Sequence, residues 1–230
     1  MLKGLQKLTL LDFPGKIACT VFFGGCNFRC PFCHNASLVL GEKLADSPTM
    51  QKEDFFRFLE LRRGILEGVC ISGGEPTLYP KLPKFIKSIR DMGFLIKLDT
   101  NGSNPDMLES LISDGLVDYV AMDIKNSPEK YAETVGVPSF DITPIKRSAE
   151  ILMRGGVDFE FRTTLACPLH TEEDMHAIGA WLSGKEKFFL QTYIDSGDVI
   201  SPNFVGYDKK ETELLLNVLK NYIPNAQIRG

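Results

Sequence analysis

With 230 residues, 43% hydrophobic and 24% charged, the chain has the composition of an ordinary globular protein. A chain of this length buries roughly 70–75% of its unfolded surface, so its core needs no disulfide staples. The net charge of -4 leaves no basic footprint for nucleic acid. No run of about 18 apolar residues marks a membrane span. The first residues, Met1 to Leu8, hold neither a secretory apolar region nor a cleavage site, and a cytoplasmic location is expected.

In chain order, strands are expected over 17–23, 69–72, 94–99, 118–124, 158–165 and 187–194, mostly as continuous apolar runs rich in β-branched and aromatic residues. Helices are expected between and after them, at about 50–63, 80–92, 105–114, 142–155, 171–183 and 208–222. Ser47-Pro48-Thr49 reads as a start signal for the first helix, ahead of the Phe55, Phe56, Leu59 stripe. Asn104-Pro105 and Thr143-Pro144 place proline in a first helical turn, and Gly93, Gly115 and Gly155-Gly156 fall where helices should stop. Six β-α units in series predict an α/β fold with a parallel sheet and right-handed crossovers.

In such sheets the reactive groups gather at the C-terminal strand ends, and the chemistry-bearing residues fall there. The first strand leads into Cys26-Asn-Phe-Arg-Cys30-Pro-Phe-Cys33, three thiols in eight residues. Clustered cysteines in an intracellular-type chain point to metal rather than disulfides. A closed zinc or iron–sulfur site takes four ligands, so three cysteines suggest a cluster with one open position for chemistry. A zinc knuckle completed by His34 is the competing reading. Gly24-Gly25 lets the backbone turn sharply just before the loop. Phe32 reads as a shield for the cluster or a ring to stack on a flat ligand.

Ser72-Gly73-Gly74-Glu75-Pro76 ends the second strand, with exposed backbone groups and a carboxylate able to meet an ammonium. Asp99-Thr100 ends the third, and Asp123 the fourth, with Lys125 two residues on. The two aspartates suit a cation or a positively charged ligand, or a simple ion pair. Arg162 is a charge inside the fifth strand and needs a carboxylate, from a ligand or from a neighbour such as Glu160. Gln191 and Tyr193 close the series. Among the histidines, His34 is expected to meet the cluster or its ligand, and His170 and His176 to be solvated. Cys19, Cys70 and Cys167 read as packing residues.

The CxxxCxxC loop, with an aromatic before its last cysteine, and Gly73-Gly74-Glu75-Pro76 one β-α unit later resemble the radical S-adenosylmethionine superfamily. The resemblance spans about residues 8–200. Leu11-Asp12-Phe13-Pro14-Gly15, the Gly-Cys-Asn-Phe-Arg-Cys loop with its Cys33-His34-Asn35, and Asp99-Thr100-Asn101-Gly102 are similar to the glycyl-radical-enzyme activating enzymes. Among these, the anaerobic ribonucleoside-triphosphate reductase activating proteins are most similar. The resemblance implies one domain over 1–230: a partial TIM barrel, (β/α)6, over about 15–200 and a C-terminal helix over about 208–222. Its implied cofactors are a [4Fe–4S] cluster, S-adenosylmethionine and a monovalent cation.

Carried over position by position, Cys26, Cys30 and Cys33 would ligate three irons as the catalytic centre, and S-adenosylmethionine would chelate the fourth. Phe32 would lie against its adenine, and Gly73, Gly74 and Glu75 would hold its amino group. Asp99, Thr100 and Asp123 would frame the cation beside its carboxylate, with Lys125 and Arg162 as further contacts. The implied activity is reductive cleavage of the cofactor, its deoxyadenosyl radical then generating a glycyl radical on a partner enzyme, anaerobic ribonucleoside-triphosphate reductase first. Flavodoxin or ferredoxin would donate the electron. A pyruvate formate-lyase-type activase and a small-molecule enzyme such as 7-carboxy-7-deazaguanine synthase are the neighbouring readings. A non-catalytic zinc or electron-transfer protein is the rival from another class. Two departures stand out: Gln191-Thr-Tyr-Ile194 replaces a histidine of the formate-lyase activase, and the absence of cysteine from 36–68 argues against a second cluster.

Overall fold

The computed structural model describes residues 1–184 and 186–229. Its strands are β1 (Leu2–Thr9), β2 (Ala18–Phe23), β3 (Gly68–Gly73), β4 (Leu95–Thr100), β5 (Tyr119–Asp123), β6 (Asp158–Leu165), β7 (Phe188–Thr192) and β8 (Gln227–Ile228). The six expected strands are β2 to β7. They lie in one sheet in sequential order, β1 pairing antiparallel with β2 and every later pair parallel. Sequential parallel pairing through helical crossovers curls the sheet into a partial barrel. Among the described residues β1 and β8 do not pair, and the barrel stays open between them.

The helices are α1 (Ala36–Val39), α2 (Gly41–Asp46), α3 (Lys52–Glu60), α4 (Leu82–Arg90), α5 (Pro105–Ser113), α6 (Tyr131–Thr134), α7 (Thr143–Met153), α8 (Glu172–Trp181) and α9 (Lys209–Lys220). Helix α4 shows why the periodic segments fold as they do. Leu82, Phe85, Ile86 and Ile89 form one buried stripe at helical spacing. Phe85 stacks on Phe55 of α3 at 5.5 Å and meets Phe23 of β2 edge-on at the same centroid distance. The sequence misplaces one helix start. Helix α3 begins at Lys52, while Ser47 closes α2 instead, its hydroxyl donating to the Lys43 and Ser37 carbonyls at 2.8 and 3.0 Å.

The strands carry two different faces. Val21, Ile71, Leu98, Val120, Phe161 and Leu190 are all fully buried in the large core cluster. Each such side chain contributes roughly 1.5–3 kcal/mol when removed from water. The intervening residues point into the barrel. Phe13, Ala18, Cys70 and Tyr119 form a small apolar plug at the base of the barrel. Glu160 is fully buried and accepts hydrogen bonds from Tyr119 Oη at 2.8 Å and Arg229 at 2.5 and 2.9 Å. Above these the inward face is polar, with Lys97, Asp99, Asp123 and Arg162. No helix of the described residues is long and apolar enough to cross a membrane.

Candidate active site

A cavity of about 310 Å³ opens at the C-terminal strand ends, within the range of small-molecule sites. Its lining includes Cys26, Cys30, Cys33, Phe32, Gly73 and Gly74, together with Asp99, Thr100, Asp123, Lys125 and Arg162. Of the residues singled out from the sequence as cluster or cofactor positions, only Glu75 lies off this wall. His34 and Gln191 also line it.

The cysteine loop is held by backbone bonds from three directions. Gly74 N–H donates to the Phe23 carbonyl and Glu75 N–H to the Gly25 carbonyl, both at 2.8 Å. Arg29 N–H donates to the Val135 carbonyl at 2.8 Å. From the segment after β7, Ser201 N–H donates to Pro31 O at 2.8 Å and Ile200 N–H to Cys33 O at 3.3 Å. Within the loop, Phe28 N–H points at Cys26 Sγ, 3.4 Å away, and Asn101 Nδ2 lies 3.8 Å from the same sulfur. Burial pushes the Cys26 thiol up to about 11 and the Cys30 thiol to about 12. Thiols so raised ionise when a metal takes the proton's place.

The glycine pair is explained by close approach. A Cβ on Gly74 would stand 2.1 Å from Gly25 O, and one on Gly73, at φ +117°, 2.3 Å from Phe23 O. Gly74→Ala is therefore expected to shift the Gly25–Cys26 backbone and loosen cluster retention while leaving the sheet intact. Iron per chain measured beside the circular dichroism spectrum checks this; full iron content would refute it.

Glu75 is 2% exposed and works as a clasp. Its Oε1 accepts from Thr77 N–H (3.0 Å), Thr77 Oγ1 (2.5 Å) and Thr100 Oγ1 (2.8 Å), and its Oε2 from Asn101 N–H (2.6 Å). Burial raises its pKa against the pull of those donors. The carboxylate that the sequence offered to an ammonium thus ties the end of β3 to the end of β4.

The two aspartates sit in a network of charges. Asp123 accepts from Arg162 Nε at 2.9 Å and Lys125 Nζ at 3.0 Å. Asp99 accepts from Ser72 Oγ at 3.0 Å and from Lys97 Nζ, and lies 3.6 Å from Arg162. Burial alone would raise both carboxyls, but Arg162 with Lys125 holds Asp123, and Arg162 with Lys97 holds Asp99, below the usual carboxylate value. Arg162 thus pairs within the site, while Glu160 belongs to Arg229. The carboxylates expected to frame a monovalent cation both pair with side-chain cations. Lys97, Ser72 and Asn101 were missed as site residues. For Lys97 the signal was a charge in Phe94-Leu-Ile-Lys97-Leu98, one side-chain alternation before Asp99.

His170 corrects the sequence reading: it is fully buried, not solvated. Its Nε2 pairs with Lys125 O at 2.8 Å, and its ring stands edge-on to Phe32 at 5.9 Å, so it backs the ring on the cavity wall. His176 is exposed, as expected, beside Tyr222.

The sequence pattern of the Radical SAM superfamily matches residues 20–182, and the chain belongs to that superfamily. A protein of Methanocaldococcus jannaschii, provisionally named a glycyl-radical enzyme activating enzyme, is 32% identical over 237 aligned residues, covering 100% of this chain and 95% of the relative. The pyruvate formate-lyase-activating enzyme of Clostridium pasteurianum is 32% identical over 126 residues, 53% of this chain and 51% of its own length. In structure, Streptococcus suis SuiB bound to its precursor peptide SuiA superposes with a TM-score of 0.67 at 17% identity, over 90% of this chain and 47% of SuiB, which shows a shared fold.

The protein is thus an enzyme of a superfamily that uses a [4Fe–4S] cluster and S-adenosylmethionine. The donor set fits that pair: three cysteines on one cavity wall, with an aromatic ring and a charged network alongside. Among the described residues no three Cys, His, Asp or Glu side chains already stand in metal-holding geometry, the loop thiols included. Ligand sets of this kind close as the metal binds.

Proposed function

We propose that this protein activates a glycyl-radical enzyme, with an anaerobic ribonucleoside-triphosphate reductase as the first candidate partner. The observation that carries the reading is the match over the whole chain to a relative named for that activity. In this reading residues 1–230 act as one domain in the cytoplasm, reduced by a flavodoxin or ferredoxin.

Cys26, Cys30 and Cys33 would hold the cluster, and the cavity they line would take S-adenosylmethionine beside it. Phe32, braced by His170 and Tyr193, offers its ring to the adenine. Backbone groups of Gly73 and Gly74 receive the amino end. Asp99, Thr100, Asp123, Lys125 and Arg162 fix the polar end of the methionine. The bound pair supplies an organic radical able to remove one hydrogen atom. The chain's own part is position and exclusion of water. The gap between β1 and β8 offers a partner's glycine loop a lateral way in.

The test mixes reconstituted, reduced protein with S-adenosylmethionine and the candidate reductase under anaerobic conditions. A glycyl-radical EPR doublet on the partner is expected. Release of 5′-deoxyadenosine without that doublet on any glycyl-radical enzyme would overturn the activase assignment.

A further inference from the structure

The two carboxylates that a monovalent metal ion would need are already balanced from inside the barrel. Lys97, Lys125 and Arg162 meet Asp99 and Asp123 through the contacts described above. Three cations against two carboxylates leave a surplus of one positive charge before any cofactor binds, and an added metal ion would raise it to two among side chains between 1% and 29% exposed. Like charges so placed repel strongly.

Lys97 is the residue that makes the difference. Its side chain is 1% exposed, rises from the middle of β4 and shares a strand face with Asp99, two residues on. It does not line the cavity. It therefore acts through Asp99, whose other carboxylate oxygen accepts from Ser72. A lysine ammonium is a compact point charge with three donors, close in kind to a small cation.

We propose that the Lys97 ammonium takes the place of a monovalent metal ion in this chain, so that cofactor binding requires neither sodium nor potassium. The inference rests on reading the cavity as an S-adenosylmethionine site. Lys97 is then a positioning residue: it fixes Asp99 and sets the charge balance that a bound carboxylate meets.

The test compares KCl, NaCl and N-methylglucamine chloride at matched ionic strength. It measures S-adenosylmethionine affinity by equilibrium dialysis on reconstituted protein, and the thermal midpoint without added S-adenosylmethionine. The natural chain and Lys97→Arg are expected to give the same affinity and midpoint in all three salts. Lys97→Met is expected to bind about tenfold more weakly in the organic salt and to recover affinity and midpoint in KCl or NaCl. Affinity or a midpoint of the natural chain that rises with potassium or sodium overturns the proposal, and this comparison decides even if Lys97→Met does not fold. Failure to bind in every salt would count against the cofactor site itself, and the midpoints would still decide the role of Lys97.

Discussion

Replacing Cys30 with alanine is expected to leave a folded chain that holds no four-iron cluster and releases 5′-deoxyadenosine only at background rate. Cys30 sits at the middle of the loop, 7% exposed, and Cys33 N–H donates to its carbonyl at 2.9 Å. A two-cysteine remnant cannot supply three of a cluster's four ligands. The matching control is Cys70→Ala, which empties a small volume in the barrel base and should cost about 1–2 kcal/mol of stability with the chromophore intact. Iron, sulfide and visible absorbance after anaerobic reconstitution report both outcomes. A Cys30→Ala protein that keeps the absorbance and still cleaves the cofactor would remove the basis of the ligand assignment.

The second large effect is on stability. Arg162→Ala takes one cation from two carboxylates and should cost about 3 kcal/mol, the lower end for a broken buried pair because Lys97 and Lys125 remain. The loss depends on pH with a definite sign. Asp99 and Asp123 have folded pKa values held below their ordinary ones. Their contribution is therefore fully present above the unfolded carboxylate value near 4, and it is lost as pH falls through the lower folded values. Urea midpoints of the natural chain and Arg162→Ala should stand far apart at pH 7 and approach each other below about pH 4. Equal midpoints at pH 7 would show that the network contributes nothing to folding.

Much of this architecture was legible because strong periodic signals coincide with buried elements. The six strands from β2 to β7 fall within two residues of their expected bounds, since most are short apolar runs rich in β-branched and aromatic residues. Strand β1 was missed: Leu2–Thr9 is half exposed, carries two lysines and a glycine, and is held by pairing with β2, which no local pattern announces. Two-residue β8 and the four-residue helices α1 and α6 are likewise tertiary in origin.

In the site, motif spacing found the cavity wall but not what stands behind it. The buried state of His170 follows from a packing partner, Phe32, that lies 138 positions away in sequence (170 − 32). Glu75 was expected to face a ligand, because chain order cannot show that Thr77, Thr100 and Asn101 converge on its oxygens. Lys97 escaped notice because a lone lysine in a strand usually reaches water, whereas here the curled sheet turns it inward.

The two-sided strands have a consequence for how such a protein can change over time. Residues at alternate positions answer to different demands, one set to the helices outside and the other to the ligand within. Substitutions along β4 or β6 should then be tolerated or rejected with a two-residue rhythm, each set judged by its own criterion. A new reaction can be written on the inner letters of these strands without respelling the outer ones.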